Sequence, residues 1–268
     1  MGKDSGRTET PWWALRFEAM ADIDPGFVGQ IDEAAEAEVE FLQRLLELGA
    51  GEKILDVGCG SGRHAVLLHE AGHAVTGVDL SPQVLRIARE AWEDRNPNKR
   101  GPQWMPGDMR WLKLPTHYDA AILMNHTFGM FEDDAEHLRA LSSLADVLRP
   151  GGRIAMQLWN PYYQAANPST RFAPQGTIAD DLDVIRSTRF DAMRGRVEER
   201  MVAFCEGERH ELPTLSVRAW TPPELIALLQ GAGFGKVKVY GSEGWDVPEE
   251  LIPVHPTDSV WLWVTATL

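Results

Sequence analysis

Residues 27–48 carry the first long periodic pattern in the chain. Ile31, Ala35, Val39, Leu42 and Leu46 recur at helical spacing, while Glu33, Glu36, Glu38 and Glu40 occupy the other face. The spacing predicts an amphipathic helix, stopped at Gly49. From Lys53 the period changes. Short apolar runs at 54–57, 74–79, 103–105, 118–124 and 153–158 predict strands, with helical stretches up to Ala71 and over 82–93 and 134–148 between them. Strands that alternate with helices pair in parallel through right-handed crossovers, so the predicted fold class is a doubly wound α/β sheet.

The alternation breaks over 159–220. A segment rich in Asn, Pro and Gln reads as a loop, and 183–190, 196–205 and 210–219 then predict antiparallel strands joined by turns at 193–195 and 206–209. A helix at 222–229, a strand at 236–240, an acidic Gly/Pro loop at 243–250 and a strand at 259–266 resume the earlier order. The break therefore reads as an insertion at one end of the sheet within a single domain.

Composition narrows the partners. A chain of 268 residues has enough length for a large core, burying roughly three quarters of its unfolded surface. Its 40 acids against 26 bases leave a net charge of −14, which argues against nucleic acid as partner because that affinity comes from Lys/Arg clusters. Two cysteines, Cys59 and Cys205, build no disulfide framework and point to the reducing cytoplasm. No apolar run is long enough for a bilayer, and the first ten residues are polar, so neither a membrane partner nor a secretion signal is expected. Ten tryptophans stand out against four tyrosines.

The densest chemical signal is Leu55-Asp56-Val57-Gly58-Cys59-Gly60-Ser61-Gly62-Arg63-His64. It leaves a predicted strand and enters a predicted helix, where glycines let a backbone approach a ligand closely. Asp79 ends the next strand, a position from which an acid holds the hydroxyls of a ribose. A dinucleotide turn needs G-x-G-x-x-G, but its third glycine position is held here by Arg63, and glycine falls at Gly62 instead. The G-x-G-x-G order, with Asp56 two residues ahead, resembles motif I of the class I S-adenosylmethionine-dependent methyltransferases. Val78-Asp79-Leu80-Ser81-Pro82, Gly107-Asp108-Met109-Arg110, Tyr118-Asp119-Ala120-Ala121-Ile122 and Leu148-Arg149-Pro150-Gly151-Gly152 follow in that family's order.

The resemblance implies a Rossmann-like sheet of seven strands, mostly parallel with an antiparallel last strand, and an inserted antiparallel β segment. It divides the chain into a tail able to act as a lid (1–26), a cofactor-binding core (27–158), an inserted substrate-side segment (159–220) and the completion of the sheet (221–268). S-adenosyl-L-methionine is the implied cofactor. Asp56, Gly58, Cys59 and Gly60 then flank its methionine part, and Arg63 either pairs with the carboxylate there or stays a surface arginine. Asp79 with Leu80 takes the ribose, and Gly107, Asp108 and Met109 frame the adenine. Asn125 and His126 follow the fourth strand, where the family faces the transferred methyl, and are the catalytic candidates; Asn125 also counts toward the cofactor. An imidazole near neutrality can take a proton, although a neutral amine acceptor needs no base. The implied reaction is direct in-line transfer to N or O of a small molecule, closest in pattern to small-molecule N-methyltransferases with a β insertion after the fifth strand.

The acceptor side is read from aromatic residues. Trp13 is a further cofactor candidate, on a segment that either folds over the cleft or anchors to the core. Trp12, Trp159, Tyr162, Tyr163 and Trp220 are candidates for the acceptor pocket, with Phe172 and Trp245 beside them. That distribution favours an apolar or cationic acceptor over a polyanionic one. Trp261 and Trp263 alternate on the last strand and read as sheet packing. His64, His69 and His73 have no Cys or carboxylate cluster to complete a metal site and read as surface residues, so no metal is expected. Cys59 reads as a small packing residue. Other readings stay open: the same fold and cofactor in another reaction or a non-catalytic binding module, and, less favoured, an NAD-dependent oxidoreductase. Monomer and dimer are equally open.

Overall fold

The computed structural model describes residues 12–24, 31–174, 182–244, 247–248 and 250–268. The apolar runs form β1 (Lys53–Val57), β2 (Ala74–Asp79), β3 (Gln103–Pro106), β4 (Tyr118–Leu123) and β5 (Leu148–Trp159), paired in parallel in the order β3-β2-β1-β4-β5. Ile54, Leu55 and Val57 of the central strand are all buried, as expected for a strand covered on both faces. The helices among them are α1 (Trp12–Ile23), α2 (Glu33–Leu45), α3 (Arg63–Glu70), α4 (Pro82–Arg95) and α5 (Asp134–Val147). Asp32 caps α2 by accepting from Ala35 N at 2.9 Å; residues 27–30 of the predicted helix lie outside the described residues. Ser81 caps α4, with Pro82 in its first turn.

The insertion holds more structure than its pattern predicts. The segment read as a loop starts with α6 (Pro161–Ala166), because Asn160 accepts from Tyr162 N (3.1 Å) and Pro161 fits a first turn. It continues into β6 (Ser169–Pro174), which pairs with β7 (Leu182–Asp191). β8 (Arg196–Cys205) pairs with β7, and the stretch predicted as one strand over 210–219 is divided into β9 (Glu208–Glu211) and β10 (Leu215–Arg218). Pro213, which has no N–H to donate to β8, lies at the break. The result is a separate antiparallel sheet, β10-β8-β7-β6, with β9 also on β8.

After α7 (Pro222–Gly231), β11 (Gly235–Glu243) and β12 (Ser259–Thr267) complete the first sheet. β12 lies antiparallel between β5 and β11, giving seven strands with an antiparallel last strand. Trp261 and Trp263 are buried in it. The chain leaves β1 toward β2 on one side and returns to β4 on the other. That reversal opens a crevice at the carboxyl ends of β1 and β4. The inner face of the inserted sheet packs on α1, where Met20 meets Leu182, Val184 and Met201.

Candidate active site

The glycine turn after β1 is held from both sides. Gly58 N and Cys59 N donate to Val78 O at 2.7 and 3.1 Å, which ties the turn to β2. Gly58 has φ +69°, and a Cβ there would lie 2.2 Å from Cγ2 of Thr127 in the loop after β4. Gly62 has φ +80° at the start of α3, and a Cβ there would meet the Trp104 ring at 2.5 Å and Ala88 at 2.9 Å. The Asp79 carboxylate accepts from Gly60 N (2.9 Å) and Ser81 N (3.0 Å), so it links the turn to the cap of α4.

Every residue predicted for the cofactor borders one cleft at this crevice: the glycine turn with Asp56 and Arg63, the ends of β2 and β3, Asn125 after β4, and Trp13 from α1. Asp56 is fully buried, and its Oδ2 has no hydrogen-bond partner. Burial, then the charge of Asp79, pushes its carboxyl up to about 7. Burial also pushes the Cys59 thiol up, which leaves it an un-ionised packing group. Arg110 grips Asp108 through Nε (3.0 Å) and Nη2 (2.6 Å), while its other arm pairs with Glu136.

Glu38 and two histidines correct the predicted surface. Glu38 turns inward and binds Arg63 Nη2 (2.7 Å) and His64 Nε2 (2.8 Å), because both helices that carry them pack on the same side of β1. Arg63 is thus held at the cleft wall by a buried acid. His64 and His73 are buried as well. Among the described residues, no three His, Cys, Asp or Glu side chains group to hold a metal ion.

The cations at the glycine end are therefore already matched, Arg63 by Glu38 and Arg110 by Asp108 and Glu136, whereas among the described residues Asp56 and Asp79 form no ion pair, and Arg63 acts on Asp56 only after burial and the Asp79 charge. A ligand carrying an aminium and a sulfonium fits such a wall and supplies the donor that Asp56 Oδ2 lacks. The diphosphate of a dinucleotide would meet two buried carboxylates.

The other end differs. Asn125 and His126 take left-handed backbone, φ +51° and +47°, held where Asn125 N donates to Gln157 Oε1 (3.1 Å) and His126 N to Gln157 O (2.8 Å). The His126 ring stacks on Trp159, with centroids 3.9 Å apart. Burial first, and then the charges of Arg16 and Arg186, lower its pKa to about 3. The imidazole is neutral at pH 7 and a weak proton acceptor, which removes the ground for reading it as a general base.

Most of the aromatic candidates do not border this cleft. Trp220 is buried in the core against Phe128 and His137, under the Arg218 guanidinium, because α7 and α5 close over it. Trp159 is buried behind His126 and does not border the cleft. Tyr162 projects from α6 into solvent, while Tyr163 and Trp12 pack on the core instead of the cleft. Only Trp13, 6.1 Å from Phe131 between ring centroids, borders it among the predicted tryptophans described. The Phe172 side chain and Trp245 lie outside the described residues. The tryptophan-based preference for a cationic acceptor loses its support.

Sequence reasoning missed Gln157 and Glu38, and gave Arg16 and Phe17 a place only in the segment able to fold over the cofactor. A lone amide in the buried run Ile154-Ala155-Met156-Gln157-Leu158 was the available signal for Gln157. Nothing local marks Glu38, which shares its helix with several exposed glutamates.

Comparison with known proteins agrees with this geometry. Residues 54–152 match the family model of a methyltransferase domain. Over 147 residues the chain is 32% identical to glycine N-methyltransferase of Rattus norvegicus, covering 51% of this chain and 49% of that protein. The chain thus spans about half the length of that curated relative. In fold it is similar to the CcbJ methyltransferase of Streptomyces caelestis, with TM-score 0.76, 20% identity, and 94% and 98% of the two chains covered. It is also similar to an S-adenosylmethionine-bound amino pentose methyltransferase of Micromonospora echinaspora, with TM-score 0.63, 20% identity, and 91% and 94% covered. With the glycine turn, the two buried acids and the strand order, these matches show a methyltransferase domain over residues 54–152 and the fold of the S-adenosylmethionine-dependent methyltransferases.

Proposed function

We propose that this chain transfers the methyl group of S-adenosylmethionine directly to a small molecule, with a neutral amine favoured over oxygen as acceptor, in the cytoplasm and without a metal. The observation that carries this reading is the Asp56–Asp79 pair, buried in the glycine crevice with one Asp56 oxygen unpartnered. When bound, the sulfonium supplies an activated methyl, so the protein's task is alignment. Holding two reactants in line contributes roughly 7–11 kcal/mol. Gly60 and Asp79 fix one end of that line, and the strained Asn125–His126 loop, pinned by Gln157, fixes the other.

The field at the acceptor end supports an amine. Burial first, and then the positive charges that keep His126 neutral, also disfavour protonation of an amine placed beside it, and an unprotonated amine is the nucleophile. The similarity to glycine N-methyltransferase supports nitrogen as well. Cys59, buried and un-ionised, offers no covalent alternative.

Thermal melting tests the cofactor: S-adenosylmethionine and S-adenosylhomocysteine should raise Tm, and ligand at 100 times its Kd adds about 2.7 kcal/mol. A shift with NAD alone overturns the reading. Consumption of S-adenosylmethionine without methylated product, across a panel of amines and alcohols, would instead point to another use of the sulfonium.

A further inference from the structure

The inner face of the inserted sheet changes character along β7. Leu182, Val184, Arg186 and Thr188 point the same way. Leu182 and Val184 are fully buried beside Met20, Met201 and Ala203. The next inward position is Arg186, opposite Met201, where the apolar ladder gives way to a partly buried guanidinium. Its Nε is buried without a hydrogen-bond partner, and no carboxylate among the described residues pairs with it.

The neighbouring cation is satisfied. Arg16 is buried, pairs with Glu199 and donates to Pro213 O at 2.7 Å. Glu199 thus answers one of two adjacent guanidinium groups, and Arg186 is left over. Both charges reach His126 at the end of the cleft, and Phe17, which packs on the same inner face, borders that cleft. An unpaired, partly buried guanidinium behind Phe17 and His126 at the end of the cleft is complemented by an anion that arrives with the ligand, and its planar fork matches a carboxylate.

We infer that Arg186 recognises a carboxylate carried by the methyl acceptor, so that the substrate is an amino-acid-like amine; this rests on the methyl-transfer reading above. The amine end then meets the cofactor beside His126, and the acid end turns to the inserted sheet. Arg186 acts as a specificity residue, and Glu199 as the group that keeps Arg16 from competing for the same anion.

The test offers pairs of acceptors that differ only in charge, an amino acid and its carboxamide, to wild type, Arg186→Gln and Arg186→Lys, with S-adenosylhomocysteine affinity measured by calorimetry on each. The wild type should favour the acid by about tenfold or more in kcat/KM, the Gln variant should lose that preference through KM, and the Lys variant should keep part of it. Cofactor affinity should stay the same in all three. Acetate added to the S-adenosylhomocysteine complex should change tryptophan fluorescence in wild type but not in Arg186→Gln. Equal use of acid and amide by wild type, a preference that survives in Arg186→Gln, or a phosphate monoester amine used better than the carboxylate overturns the inference alone. Failure to bind S-adenosylhomocysteine, or to methylate any amine of either charge, overturns the methyl-transfer reading and this inference with it.

Discussion

Two buried titratable groups border the same cleft, and their surroundings push them in opposite directions. At the glycine end Asp56 rises to about 7, with burial foremost and the Asp79 charge next. At the acceptor end His126 falls to about 3, with burial foremost and Arg16 and Arg186 next. Burial acts alike on both by opposing charge. The second cause differs in sign, and it shows that one end presents a negative wall and the other a positive one. A ligand pair consisting of a cationic methyl donor and an anionic acceptor suits that polarity.

The largest effect should come from a residue that belongs to neither end. Trp220→Ala should cost about 3–5 kcal/mol of stability by opening a cavity, seen as a lower midpoint in urea, while the folded protein binds S-adenosylhomocysteine as before. A loss of acceptor specificity without loss of stability would return Trp220 to the site. Next comes Asp79→Ala, which removes both the proposed ribose partner and the lock on Gly60; cofactor affinity should drop about 100-fold by calorimetry. An unchanged affinity would discard the polarity of the glycine end.

The two ends should also titrate apart. The folded-state pKa of His126 lies below the ordinary 6.5, so the unfolded chain takes up its proton first and stability falls as pH drops from about 6.5 toward 3. Roughly 2–3 kcal/mol should be lost by pH 4, and His126→Gln should remove much of that slope in denaturant titrations. For Asp56 the sign is reversed. Its raised pKa favours the protonated folded form, and that contribution is lost as pH rises through about 7. A cation bound beside it needs the carboxylate, so S-adenosylmethionine should bind up to about tenfold tighter at pH 8 than at pH 6, and Asp56→Asn should shrink that difference. Equal slopes in the wild type and the Asn variant would separate Asp56 from the ligand.

The two ends were unequally legible in the sequence. The glycine end is built largely from short segments, 55–64, 78–82 and 107–110, each joined to the end of its own strand, so linear spacing carries its geometry. The acceptor end is assembled from afar. Arg16 meets Glu199 across 183 positions, and Arg186 comes near His126 only because strand parity puts it on the same face as Val184. The aromatic candidates went astray for a related reason: Trp220 and Trp159 flank the insertion in sequence, but large apolar rings at the base of a packed sheet are drawn into the core. Strand alternation was readable within 196–205, yet the division of 210–219 followed from a single Pro213.

α1 touches both ends at once. Ser81 Oγ donates to Glu18 at 3.1 Å beside the Asp79 lock, Arg16 pairs with Glu199 of the inserted sheet, and Trp13 and Phe17 between them border the cleft. A wall shared in this way makes the two affinities reciprocal. Whatever factor a bound cofactor adds to acceptor affinity by seating this helix, the acceptor must add to cofactor affinity in return.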